Sequence, residues 1–232
     1  MNIIFKLIYN ELRKFKILYP IAFKIRFLQL VISRKVVWGI NNRITNSGRL
    51  QNVKFDVIGN DNVIKIGKCS KLSNVTLFIR GNGHSVIIGN NCDYTGGIIW
   101  IEDHGSELKI GDGTTIVSAN FYLTEPWSRI LVGKDCMFAY NIDFRTGDSH
   151  SIIDKNTKRR FNYSMDITID DHVWIGTDVK ILKGVHVESG SIVGSGAVLT
   201  SSIPQNCIAA GNPAKIIKYE IEWLRERIYD RD

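Results

Sequence analysis

Five histidines, His84, His104, His150, His172 and His186, are the side chains able to exchange a proton near neutral pH. An imidazole of that kind is suited to act as general base for a hydroxyl that must lose its proton as it attacks. His150 stands at the mouth of a polar, charged stretch, DSHSIIDKNTKRRFNYSM (Asp148 to Met165). The other four histidines read as surface residues, His84 and His104 in turns and His172 and His186 at outward positions. The four cysteines, Cys69, Cys92, Cys136 and Cys207, contain no C-x-x-C pair and have no histidines at zinc spacing. Neither a metal site nor a disulfide framework is indicated, and a reducing cytoplasm fits best. The chemistry to be positioned is therefore metal-free proton transfer centred on His150.

The elements that position it follow from internal self-similarity. Four aliphatic-Gly pairs, Ile66-Gly67, Ile88-Gly89, Ile110-Gly111 and Val132-Gly133, recur every 22 residues. Val57, Ile79, Ile101 and Leu123 share that register, as do the small residues Ser70, Cys92, Thr114 and Cys136. After residue 166 the period becomes six, with Ile169, Ile175, Ile181, Val187, Val193 and Leu199 pointing inward and Val173, Val179, Val185, Ser191 and Ala197 at tight corners. Three six-residue faces make a coil of 18, so the 22-residue units are a coil plus a four-residue outward turn. Those turns, near Gly59-Asn62, Gly81-His84, Asp103-Ser106 and Glu125-Ser128, must stack along one edge. The expected fold is mainly β, a parallel β-helix in which each coil covers the edge of the next. A basic N-terminal segment (1–45), helical over residues 3–33 with a break at Pro20, caps one end, and a helix over 216–232 caps the other, leaving 46–215 as the β-helix domain.

The repeat is broken once. The Gly133 equivalent is Asp170, 37 residues on instead of 22, so about 15 residues are inserted as an extended loop over 147–165. Loops of that size on a regular solenoid are more often functional than idle. His150 lies in the register of the stacked turns, and Glu125, Pro126, Trp127 and Ser128 lie 22 residues before it, directly beneath. Trp174, immediately before the inward Ile175, projects outward and needs a ligand or partner chain to cover it.

Charge is uneven. Residues 1–43 hold nine Lys/Arg against the single acid Glu11, a net +8, and since the whole chain is +7 the remainder is −1. That segment is too interrupted by charge to span a bilayer or act as a signal peptide. It suits an anionic surface or ligand, for which membrane phospholipid, nucleic acid or an acidic glycan would all serve, and a solvated basic helix face or a helical cap accounts for it as well.

From Asp148 onward, the histidine loop followed by ITIDDHVWIGTDVKILKGVHVESGSIVGSGAVLTSSIP and AAGNPAKIIK resembles the hexapeptide-repeat acetyltransferases. The segment HVWIG (His172 to Gly176), GNPAK (Gly211 to Lys215) and the 24-residue gap from His150 to Trp174 look like the bacterial polysialic-acid capsule and surface-polysaccharide O-acetyltransferases. The resemblance covers roughly residues 50–218. It implies a left-handed winding, which periodicity cannot give. It also implies a homotrimer with active sites between subunits, and acetyl-CoA as co-substrate. His150 maps to the catalytic base and Trp174 to the acyl-donor site. Gly176, Ser195, Ser201 and Lys215, with Lys183, map to donor contacts, Lys215 as partner of a CoA phosphate. Asn120, about 30 residues before the histidine, maps to an amide that holds the acceptor or a developing oxyanion, and a coil-ladder position accounts for it equally. Many relatives carry Thr-Lys where this chain has Thr200-Ser201, so one phosphate contact is missing or supplied elsewhere.

Under that resemblance the acceptor is a glycan of a capsule or lipopolysaccharide and not a nucleic acid. Trp127 is then a platform for sugar stacking beside Glu125, and Arg159 and Arg160 offer charge to an acidic glycan. An amine acceptor on an amino sugar, and a non-enzymatic scaffold, are the alternatives. The interrupted repeat speaks against the scaffold, and oxygen against nitrogen stays open.

Overall fold

The computed structural model describes residues 33–229. The helices expected within 3–33, and with them most of the basic segment, lie outside these residues. The chain winds through three faces in strict rotation. The first sheet has eight strands, from Arg34–Trp38 to Val198–Leu199; the second has seven, from Arg43–Asn46 to His186–Val187; the third has nine, from Arg49–Gln51 to Lys215–Lys218. Every pairing between coils is parallel, which makes this a parallel β-helix.

Both registers are realised residue for residue. Val57 pairs with Ile79, Ile79 with Ile101 and Ile101 with Leu123 on the first face; Ile66, Ile88, Ile110, Val132 and Ile169 form the corresponding column on the second. All of these side chains are buried, as are the inward and corner residues of the six-residue register. The long gap between Val132 and Ile169 is therefore an insertion that leaves the ladder intact. Around the coils nearest the insertion the core is aromatic: Phe121 stacks on Phe144 at 4.7 Å, and Tyr94 donates its hydroxyl to the Ala119 carbonyl at 2.7 Å, so its one polar atom is paired.

Cys92 and Cys136 are small core residues at the corner between the second and third faces. The Cys136 thiol, pushed up to about 11 by burial, donates to the Asp170 carbonyl at 3.1 Å. It is a packing group with no reactivity near neutral pH.

Three expectations are corrected. Residues 216–229, expected as a helix, do not form one. Lys215–Lys218 pairs antiparallel with Ile208–Ala210, because the last strand of the third face offers an open row of backbone donors and acceptors that a returning strand can satisfy. Residues 219–229 then run on without regular structure, and no helix occurs among the described residues. Coil pairing also starts before residue 46, at Arg34 against Lys54, with a spacing of 20 that hides this coil from the 22-residue register. Finally, the outward turns have three outward residues, not four. Their last position, Asn62, His84, Ser106 and Ser128, is buried and forms an inner polar ladder. The Asn62 Oδ1 accepts the His84 amide and His84 Nδ1 accepts the Ser106 amide. His84 is thus a buried ladder residue, its pKa lowered chiefly by burial, and not the surface residue expected.

Candidate active site

The insertion leaves the solenoid where the first face turns into the second, just after the strand Ile142–Arg145. It is well tied. Met165 donates its amide to the Thr146 carbonyl at 2.9 Å, so exit and entry meet. Ile153 and Arg160 bridge its two arms, and Asp154 caps the tip by accepting the amides of Asn156 and Thr157. At its centre Asn162 is 5% exposed. The Asn162 Oδ1 accepts the Ile152 amide at 2.7 Å and Arg160 Nε at 3.1 Å. Its Nδ2 donates to Asp148 Oδ2 and to the His150 carbonyl, each at 2.8 Å. One amide therefore uses its full bonding capacity inside the loop, and one of its four bonds goes to the backbone carbonyl of His150.

Two ion pairs fasten this loop to the coils. Arg160 bonds Glu125, which the 22-residue stacking placed underneath, and Lys183 from the coil above bonds Asp148. The Lys183 ammonium, with the Asn162 amide, holds the Asp148 carboxyl below its ordinary range. Arg160 also donates to the Asn162 carbonyl. These pairings correct the expectation that Arg160 is available to an acidic glycan, because its guanidinium is already engaged. Arg159 remains exposed. The His150 imidazole is exposed and makes no hydrogen bond among the described residues. At the root of the loop, Arg145, Gly147, Asp148, Ser149, Leu182 and Lys183 line a recess of 340 Å³, of which His150 is not a lining residue.

Asn120 lies on the first face, its Nδ2 donating to Asp143 Oδ1 at 2.9 Å and its Oδ1 accepting the Ile98 amide at 3.1 Å. This is the coil-ladder alternative: the amide is spent between coils, which argues against its holding an acceptor or an oxyanion. Trp174 stands on the third face, paired between Met137 and Ile192, half-exposed as expected. Gly176 and Ser195 follow at the next corner, where a Cβ on Gly176 would sit 2.7 Å from the Ser195 amide; glycine is needed for that close approach. Lys215 is exposed on the returning strand, and Ser201 and Lys183 belong to the corner of the histidine loop.

The expected site residues therefore fall into two groups. One surrounds His150 at the corner between the first and second faces. The other, with Trp174, occupies the third face, which lies across the prism from that corner. A single chain does not bring the two together.

The third face carries a feature that sequence reasoning missed. The C-terminal tail straps back over it: Trp223, 4% exposed, stacks on His172 at 4.0 Å with its Nε1 donating to the His172 carbonyl, and it approaches Trp174 at 6.0 Å. Arg225 and His172 both bond the Asp135 carboxylate. His172 is therefore a half-buried anchor, where a surface position was expected. Asn162 was missed as well, since nothing in the loop's composition distinguishes a buried asparagine from an exposed one.

The family profile "Bacterial transferase hexapeptide (six repeats)" matches residues 166–201. Over 111 residues the chain is 40% identical to the polysialic acid O-acetyltransferase of Escherichia coli O1:K1 / APEC, a stretch that is 48% of this chain and 36% of that protein. It spans between a third and about half of the length of the curated relatives it matches first. Two crystal structures align over far more. The polySia-specific acetyltransferase NeuO is 37% identical with a TM-score of 0.75, covering 85% of this chain and 90% of its own. The polysialic acid O-acetyltransferase OatWY is 32% identical with a TM-score of 0.76, covering 86% and 94%. Sharing that much length, identity and coil architecture with both, the chain belongs to the hexapeptide-repeat acetyltransferases.

Proposed function

We propose that the protein transfers an acetyl group from acetyl-CoA to a sugar hydroxyl of a bacterial surface polysaccharide, with His150 as general base. The observation that carries this reading is the one interruption of the solenoid, a loop in which the buried Asn162 bonds the His150 carbonyl while the imidazole stays exposed. Likeness to two polysialic acid O-acetyltransferases over most of the chain supports the substrate class.

The chemistry is direct transfer. The imidazole takes the proton of the attacking hydroxyl and passes it to the sulfur as the thioester bond breaks, so a single residue serves both directions of proton movement. The donor would lie along the third face, where Trp174 offers an indole wall and Lys215 an exposed cation, with Gly176 and Ser195 at the adjoining corner, while Ser201 would meet it from the histidine corner of the other copy. Lys183, neutralised by Asp148, serves loop position instead.

Because His150 and Trp174 lie on opposite sides of one prism, the complete site joins the histidine corner of one copy to the third face of another. A homotrimer of left-handed coils is the assembly proposed, with the basic residues 1–43 meeting a cytoplasmic membrane surface. The test is release of CoA thiol on incubating the protein with acetyl-CoA and polysialic, uronic-acid or neutral glycans, with NMR detection of the O-acetyl product. Transfer to none of them would remove the proposal; a product acetylated on nitrogen would redirect it to an amino sugar.

A further inference from the structure

The stacked turns allow a comparison of one position through four coils. In each turn the first and third residues have positive φ: Gly59 and Asp61, Gly81 and Gly83, Asp103 and Gly105, then Glu125 at +88° and Trp127 at +62°. The three lower coils meet this demand with glycine or aspartate, which tolerate it. Only the turn directly beneath His150 meets it with a long and a bulky side chain, for which such backbone is a true outlier. Strain of that kind persists where the surroundings over-determine it, and it gathers at functional sites.

Both strained residues are put to use. Glu125 reaches up to Arg160 of the histidine loop. Trp127 lies down over the turn beneath: a Cβ on Gly105 would collide with its ring, and His104 meets it edge-on at 5.4 Å. Its amide donates to the His104 carbonyl at 3.0 Å, and Pro126 stiffens the link between the two residues. The indole is therefore fixed from one side and still 69% exposed. A rigid aromatic face held open to solvent at such backbone strain has no structural gain to explain it.

We propose that Trp127 is the acceptor subsite: one pyranose ring of the glycan stacks on the open face of the indole, which presents a hydroxyl of that residue or its neighbour to His150. Pyranose C–H groups carry partial positive charge and suit the negative face of an aromatic ring. The exposed Arg159 lies on the same loop and would favour a carboxylate-bearing sugar. This rests on the acetyl-transfer reading and names its specificity element.

The test compares Trp127→Ala, Trp127→Phe and Gly105→Val with the unaltered protein, measuring KM for glycan and for acetyl-CoA separately. Binding of polysialic acid, a uronic-acid polysaccharide and a neutral glucan is followed by saturation-transfer NMR without donor. Trp127→Ala should raise glycan KM at least tenfold with acetyl-CoA KM within twofold. Trp127→Phe should recover most of that loss, and Gly105→Val, which displaces the ring, should reproduce the alanine phenotype. Unchanged glycan KM in Trp127→Ala overturns the proposal, as does a loss of oligomeric state in sedimentation, which would make a second copy the occupant. If no glycan is acetylated at all, the acetyl-transfer reading fails but the subsite is still decided. Glycan signals that depend on Trp127 keep it, and binding of none of the three probes, or binding that ignores Trp127, ends it.

Discussion

Replacing Asn162 by alanine removes the side chain that ties the His150 backbone to the loop. Four hydrogen bonds disappear, to the Ile152 amide, Arg160 Nε, Asp148 Oδ2 and the His150 carbonyl. At about 0.5–1.5 kcal/mol net for each, the upper bound is several kcal/mol. The loop borders solvent, so the abandoned groups rehydrate in part, and about 2–3 kcal/mol of local order is the expected loss. Every 1.4 kcal/mol is a factor of ten in an equilibrium, so the productive arrangement of His150 falls by roughly 30- to 140-fold. In steady-state assays this appears as a comparable fall in kcat/KM. The midpoint of urea unfolding should barely move, because the loop contributes nothing to the buried columns of the coils. Asn162→Asp retains the two acceptor bonds but loses both donors and sets a carboxylate beside Asp148, so it should be as impaired as alanine. An Asn162→Ala enzyme with unaltered kcat/KM, or one whose coils unfold with the loop, would refute this reasoning.

Two further predictions concern the ties around the site. Trp223→Ala removes a buried aromatic stack, a loss of about 3 kcal/mol, and should free residues 219–229 for limited proteolysis and fast amide exchange while the coils keep their unfolding midpoint. The Asp148–Lys183 pair depresses a carboxyl pKa, with the Lys183 bond as the largest cause. Its stabilisation of the loop is therefore complete above the ordinary carboxylate value of about 3.9 and is lost as pH falls through the lower folded value. Amide exchange in 148–165 should accelerate only below about pH 4 in the unaltered protein and at a higher pH in Lys183→Met.

The legible part of this protein is the part governed by repetition. A column such as Ile66, Ile88, Ile110, Val132 repeats one physical requirement, burial of an aliphatic at one place in a coil, and repetition makes it visible without any homologue. The same logic located His150, since a break in a register is as visible as the register. It also placed Glu125 beneath the loop, where Arg160 meets it. His84 was readable by the same means: it shares a column with Asn62, Ser106 and Ser128, and three small polar residues at a fixed place signal an inner ladder instead of an outward turn. Non-repeating contacts left no such trace. The apolar spacing of Ile217, Ile221, Leu224 and Ile228 suits a helix, but an open strand edge and the docking of Trp223 on His172 decide the tail by tertiary contact. Asn162 acts through four bonds to one loop, and no periodicity announces that.

The central claim is that His150 moves the proton in acetyl transfer to a glycan hydroxyl. Its most direct test is the rate of O-acetyl formation by His150→Ala on whichever polysaccharide the unaltered protein acetylates, with acetyl-CoA saturating. The account predicts a fall of about 10²–10⁴-fold with folding and glycan binding intact. A His150→Ala enzyme that retains most of its activity would contradict it.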